Sequence, residues 1–155
     1  MTDREIIRKL IEKGISIATA ESCTGGKISA TITDVPGSSS IFGYGMVTYS
    51  NEAKMKILGV KEETLKRVGA VSEETAYEMA EGLKKLSEAD VAVSVTGIAG
   101  PGGGSELKPV GLVYMGLAYK DKVYVKKNQF CGDRDEIRSQ TVAEAFRLVA
   151  EKVGL

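Results

Sequence analysis

Apolar side chains recur at Ile6, Ile7, Leu10 and Ile11 within DREIIRKLIEK (3–13), one face of a predicted helix that Gly14 brings to an end. ISIATA (15–20) reads as a short strand, and the break at Thr24-Gly25-Gly26 leads into a second helix over about 25–33. After the turn Pro36-Gly-Ser-Ser-Ser40, the run IFGYGMVTYS (41–50) has the composition of a strand loosened by glycines. Ser50 or Asn51 can then cap a helix beginning NEAKMKIL, because either side chain accepts from the free amides of a first turn.

LGVKEETLKRVG (58–69) predicts a short helix ending at Gly69. Ser72-Glu-Glu-Thr opens a longer one to about Ser87, with Ala76, Met79, Ala80, Leu83 and Leu86 as its inner stripe. VAVSVTG (91–97) is a continuous apolar run, as in a strand covered on both faces. GIAGPGGGSELKPVG (97–111) is too rich in glycine for a regular element. Strands at about 111–119 and 122–130 meet at Lys120-Asp121 as a hairpin, and GDRDEIRSQTVAEAFRLVAEKV is a helix capped by Asp133 or Asp135. Helices interleaved with strands, one pair of them antiparallel, predict an α/β fold: a three-layer α/β/α sandwich around a mixed sheet, one domain over 1–155. No internal repeat and no inter-domain linker interrupts it.

Composition narrows the chemistry more than the fold. Hydrophobic residues make up 43% and charged residues 27% of 155, enough for a core without disulfides or metals. Lys plus Arg and Asp plus Glu both number 21, which gives no support to nucleic acid or an anionic membrane as the main partner. No apolar run approaches the roughly 20 residues that span a bilayer, and MTDREIIRKL is too charged for a signal peptide core. Two cysteines at unrelated positions fit a reducing compartment, so a cytoplasmic location is expected. The chain contains no histidine, which excludes a Ser-His-Asp or Cys-His relay within it and any zinc site that needs imidazole. A covalent hydrolase built on this chain takes its base from lysine, a carboxylate or tyrosine.

Candidate chemistry falls on three segments and one helix start. The strand–turn–helix carrying Glu21-Ser22-Cys23-Thr24-Gly25-Gly26 puts small polar side chains beside free amides that attract a phosphate or an oxyanion. It fails the phosphate-loop pattern, which needs glycine at 21 and Ser or Thr at 28, and it reads equally as a helix capped by Thr24. Cys23 can be a nucleophile or an inert buried thiol. Lys54, in the first turn of its helix, is a general base if burial and the helix dipole lower its pKa, and a solvated surface lysine otherwise. Thr96-Gly97-Ile-Ala-Gly100-Pro-Gly-Gly-Gly104 follows a buried strand, where open α/β sheets hold ligands, and its glycines allow close backbone approach. Arg134 and Arg138, four apart, can grip a phosphate or pair with neighbouring acids.

The segments TAESCTGG, GSSSIFGYGMVTYSNEAK, LGV, GAVSEETA, MAEG, VSVTGIAGPGGGSELKPVG and GDRDEIR, in that order, resemble the CinA C-terminal domain family over about residues 5–150. The resemblance implies nicotinamide mononucleotide deamidase activity, giving nicotinic acid mononucleotide and ammonia. It implies Ser22 as nucleophile, Lys54 as general base and Tyr49 as a helper in the proton relay, with Thr96 and the arginines of GDRDEIR binding the nucleotide. The oxyanion would sit at the amides near Thr24, Gly25 and Gly26. No metal or other cofactor is expected, the partner is a small-molecule nucleotide, and family members imply a homo-oligomer. Full CinA proteins carry a further N-terminal domain resembling molybdopterin-binding proteins, so the resemblance implies a stand-alone form. Two alternatives remain at this point: a hydrolase of another nucleotide-linked amide or of a phosphate ester, and a nucleotide-binding module without the chemistry.

Overall fold

The computed structural model describes all 155 residues, in the order α1 (Asp3–Lys13), β1 (Ile17–Glu21), α2 (Lys27–Thr33), a 3₁₀ turn (Ser38–Ser40), β2 (Phe42–Val47), α3 (Asn51–Leu58), α4 (Glu62–Val68), α5 (Glu73–Ser87), β3 (Val91–Gly97), β4 (Leu112–Tyr119), β5 (Lys122–Gln129) and α6 (Arg134–Val153). The five strands form one sheet in the order β2-β1-β3-β4-β5. β2, β1 and β3 run parallel, while β4 and β5 close the other edge as an antiparallel hairpin. This is the expected mixed-sheet, three-layer α/β architecture.

Alternation along the strands sorts the core into two layers. Ile17, Val91, Val93 and Val95 face α1, α2 and α6 in a cluster of 21 buried residues. Ala18, Ala20, Ala92 and Ala118 face α3, α4 and α5 in a second cluster of 11. Alanines on that face let the backbones come close, and β3 is buried along nearly its whole length, as its unbroken apolar run requires.

Cap chemistry moves several element ends. The second strand stops at Val47 because Ser50 leaves it to cap α3, its hydroxyl accepting from Ala53 N at 3.0 Å. α6 is capped by Asp133, not Asp135, in a reciprocal box with Glu136. α2 starts at Lys27 rather than 25, and its cap position is Gly26, which has no side chain to offer. Thr24 is therefore not the cap. The inner stripe of α5 ends at Leu83; Leu86 is 43% exposed, in the last turn before the chain swings through Glu88 (φ 55°) into β3. No helix is long and apolar enough to cross a membrane, and both cysteines are free.

Gly82 sets how closely α3, which carries Lys54, lies on α5. A β-carbon there would stand 1.8 Å from the Leu58 carbonyl oxygen at the end of α3. Alanine would gain about 1 kcal/mol of helix propensity, but a backbone atom at that distance cannot yield without moving the helix. Gly82→Ala should therefore lower stability, by a net 1–3 kcal/mol or so, in chemical denaturation; an unchanged or higher midpoint would contradict this packing.

Candidate active site

β1 ends at Glu21, and its ladder runs one rung further. Ser22 N donates to Val95 O at 3.1 Å and Thr48 N donates to Glu21 O at 2.9 Å. The register Val47–Glu21–Val95 thus continues as Thr48–Ser22–Thr96, three hydroxyl residues in a row at the carboxyl ends of parallel strands. By alternation this rung faces the α3–α5 side, as Ala18 and Ala20 do.

Lys54 comes down on that row from the first turn of α3. Its side chain is 1% exposed, and Nζ lies 3.0 Å from Ser22 Oγ, 2.7 Å from Thr48 O and 3.2 Å from Tyr49 O. None of the chain's ion pairs includes Lys54. Burial without a carboxylate pushes its pKa down to about 8. A neutral amine has two hydrogens and one lone pair. Charged, Nζ donates to all three oxygens; once it gives up a proton, the two carbonyls can hold its two hydrogens and the lone pair can face the serine hydroxyl, as a general base requires. The surface reading of Lys54 is excluded.

The neighbouring thiol behaves oppositely. Cys23 is buried, and desolvation pushes its pKa up to about 11 in spite of the opposing influence of Arg138, so it stays a thiol near neutrality. That removes Cys23 as a thiolate near neutrality and leaves Ser22 as the candidate nucleophile of this turn.

Two amides of the turn and helix start are already engaged. Gly25 N is used by Ser22 O and Lys27 N by Thr24 O, both at 3.1 Å, and Gly26 sits at φ 107°, where a side chain would be strained. The amides of Cys23, Thr24 and Gly26 meet no acceptor in the chain. Arg138 reaches in from α6, on the other side of the sheet, donating from Nε to Cys23 O at 3.0 Å and from Nη2 to Thr24 O at 2.9 Å. In a planar trans peptide the N–H points opposite to the C=O. Drawing the Cys23 carbonyl towards α6 therefore turns the Thr24 N–H towards the serine side. Of the three amides expected to hold an oxyanion, Thr24 and Gly26 are free and Gly25 is not.

The remaining expected residues divide. Thr96 donates its hydroxyl to Ala70 O at 2.9 Å, and Gly97 packs where a β-carbon would meet Val113, so both shape the floor. Arg134 Nη1 donates to Gly100 O at 2.7 Å, tying the glycine-rich loop to α6; its remaining N–H groups are not engaged within the chain. Arg138 has two of its donors on carbonyls of the turn and so braces it. Tyr49 contributes its carbonyl to Lys54, while its phenol is in a residue 62% exposed and makes no hydrogen bond. Sequence reasoning missed Glu21, whose buried carboxylate lies directly under the turn. A lone charge ending the otherwise uncharged IATAE strand was the available signal. Thr48 was missed as well: its Oγ1 is the one buried side-chain nitrogen or oxygen without a hydrogen-bond partner. No group of His, Cys, Asp or Glu side chains is placed to hold a metal ion. A groove of about 700 Å³ across α5 and β5 contains none of these residues, and Glu73, Glu74, Glu78 and Glu81 outweigh Lys61 and Lys85 along it, which makes it a poor seat for an anionic nucleotide.

The CinA C-terminal domain model matches residues 1–153. The chain belongs to the CinA C-terminal domain family. It is 58% identical over 146 residues to a putative competence-damage inducible protein of Caldanaerobacter subterraneus subsp. tengcongensis, covering 94% of this chain and 35% of that protein. A CinA-like protein of Endomicrobium trichonymphae is also 58% identical, with 94% of this chain and 34% of the relative covered. The chain thus spans about a third of the length of these curated relatives. Among solved structures, the competence/damage inducible protein CihA of Agrobacterium tumefaciens superposes with a TM-score of 0.92 at 44% identity, covering 96% of this chain and 94% of that one. The CinA superfamily protein KP700603 of Klebsiella pneumoniae gives 0.93 at 35% identity, covering 98% and 95%.

The low pKa of Lys54 leaves a mark on stability. Between about 8 and the ordinary value of 10.5, the unfolded chain holds a proton on this lysine that the folded chain has lost. Stability therefore rises with pH across that window, by about 3 kcal/mol in all. Lys54→Met removes the group, so urea titrations at several pH values should show the parent gaining on the variant between pH 8 and 10.5. Parallel curves would mean that Lys54 titrates normally.

Proposed function

We propose that the chain is a Ser/Lys amidohydrolase that converts nicotinamide mononucleotide to nicotinic acid mononucleotide and ammonia. One observation carries the reaction class: the buried amine of Lys54, 3.0 Å from Ser22 Oγ, with two carbonyls to hold its hydrogens and no carboxylate to keep it charged. The family resemblance supplies the substrate.

In this mechanism Lys54 takes the Ser22 proton as Oγ bonds to the carboxamide carbon. The carbonyl oxygen becomes an oxyanion facing the Thr24 and Gly26 amides. Lys54 passes the proton to the amide nitrogen, the C–N bond breaks, and ammonia leaves an ester on Ser22. A water then gives a proton to Lys54 and its oxygen attacks the ester; the proton returns to Ser22 Oγ as the carboxylic acid is released. The glycine-rich loop and the unengaged N–H groups of Arg134 stand beside this edge of the sheet to orient the nucleotide. Tyr49 acts at the mouth of the site through its carbonyl.

Ammonia release from nicotinamide mononucleotide by the purified chain tests the proposal. Ser22→Ala should reduce it to background, and Lys54→Ala by about 10²–10⁴-fold, the usual contribution of a general base. The parent rate should climb with pH through about 8 as Lys54 loses its proton. Full turnover by Ser22→Ala, or release of phosphate instead of ammonia, contradicts the assignment.

A further inference from the structure

With the Ser22–Lys54 pair taken as the nucleophile proposed above, we propose that Glu21 is a positioning residue for it, its buried carboxylate tying down the underside of the 22–26 turn so that the Thr24 and Gly26 amides stay free. Glu21 is fully buried, yet no cation pairs with it. A carboxylate taken out of water costs several kcal/mol unless its oxygens are well satisfied. Here each oxygen accepts twice. Oε1 takes Thr24 Oγ1 at 2.7 Å and Ile28 N at 2.8 Å; Oε2 takes Ser29 N at 2.9 Å and Ser29 Oγ at 2.7 Å.

The consequence lies in what those bonds spare. A helix start is ordinarily capped by a side chain of the turn that enters it. In this chain the second and third amides of α2 are capped from the strand below instead, and the turn between is released from that duty. Thr24 shows the effect most plainly. Its hydroxyl is held by Glu21 and its carbonyl by Arg138, from different directions, which leaves its N–H as the polar group still free. A glutamine at 21 would turn an NH₂ group towards two donors, and an aspartate would be one methylene too short to reach both amides. Neither keeps the turn fixed.

The test reads serine reactivity directly, using the full chain, a fluorophosphonate probe that labels activated serines, and circular dichroism to count folded molecules. Parent protein should label at Ser22, with no labelling of Ser22→Ala. Glu21→Gln and Glu21→Asp should label at least tenfold more slowly per folded molecule, with the pH midpoint of labelling unmoved because Lys54 is untouched. Glu21→Ala, slower still, should recover part of its rate in added formate, a carboxylate small enough for the space left among the four donors, and the parent should not respond. Glu21→Gln labelling at the parental rate, or losing rate only in proportion to folded fraction, overturns the proposal. A parent that does not label at all defeats the Ser22–Lys54 nucleophile itself and this proposal with it.

Discussion

Keeping an unpaired lysine out of water is the constraint around which the carboxyl edge of this sheet is arranged. Burial of an ammonium is costly, and a protein commonly meets that cost with a carboxylate. Here the buried carboxylate of the neighbourhood, Glu21, is spent on four other donors beneath the turn, and Lys54 meets only neutral oxygens. The amine is thereby biased towards its uncharged form at a pH where an exposed lysine is almost wholly protonated. A chain without histidine has little other means of placing a neutral base beside a serine.

The two faces of the sheet share the work. From the α3–α5 side come Lys54 and, through the close contact at Gly82, the rigid seat of its helix. From the α1–α2–α6 side come Arg138, which holds two carbonyls of the turn, and the start of α2, which Glu21 caps. Ser22 sits on the last rung between them, flanked by Thr48 and Thr96. The proposed chemistry needs both layers, because a nucleophile and its oxyanion donors must be fixed relative to each other to within a fraction of an ångström to act together. Thr48, buried with an unsatisfied hydroxyl in the same row, is the sort of locally unfavourable group that folds tolerate mainly near functional sites.

Much of the fold was legible in the sequence because the periodicities are strong. The apolar stripe of α1, the unbroken run of β3 and the hairpin of β4 and β5 each follow from spacing alone. Element ends were settled by capping: at Ser50 and Asp133 between two nearby candidate caps, and at Gly26 because the cap came from elsewhere in the chain. The absence of histidine pointed to a lysine or acid base, yet nothing local to NEAKMKIL says that Lys54 is buried. That depends on α3 docking onto α5 through residues some thirty positions away. Arg138 was legible as a cation at a helix start but not as a clamp on carbonyls over a hundred residues earlier, because hydrogen bonds to backbone carry no mark in the sequence. Glu21 left one mark, a lone charge at the end of β1, but not the four donors that surround it.

The ionisation of Lys54 is open to direct observation. With lysines labelled at Cε and the Lys54 signal assigned by its loss in Lys54→Met, a ¹³C NMR pH titration of the folded chain follows this one amine. A midpoint near 8 is the predicted result. A midpoint near the ordinary 10.5 would mean that the amine is solvated or ion-paired in solution, and would contradict the neutral base on which the proposed chemistry depends.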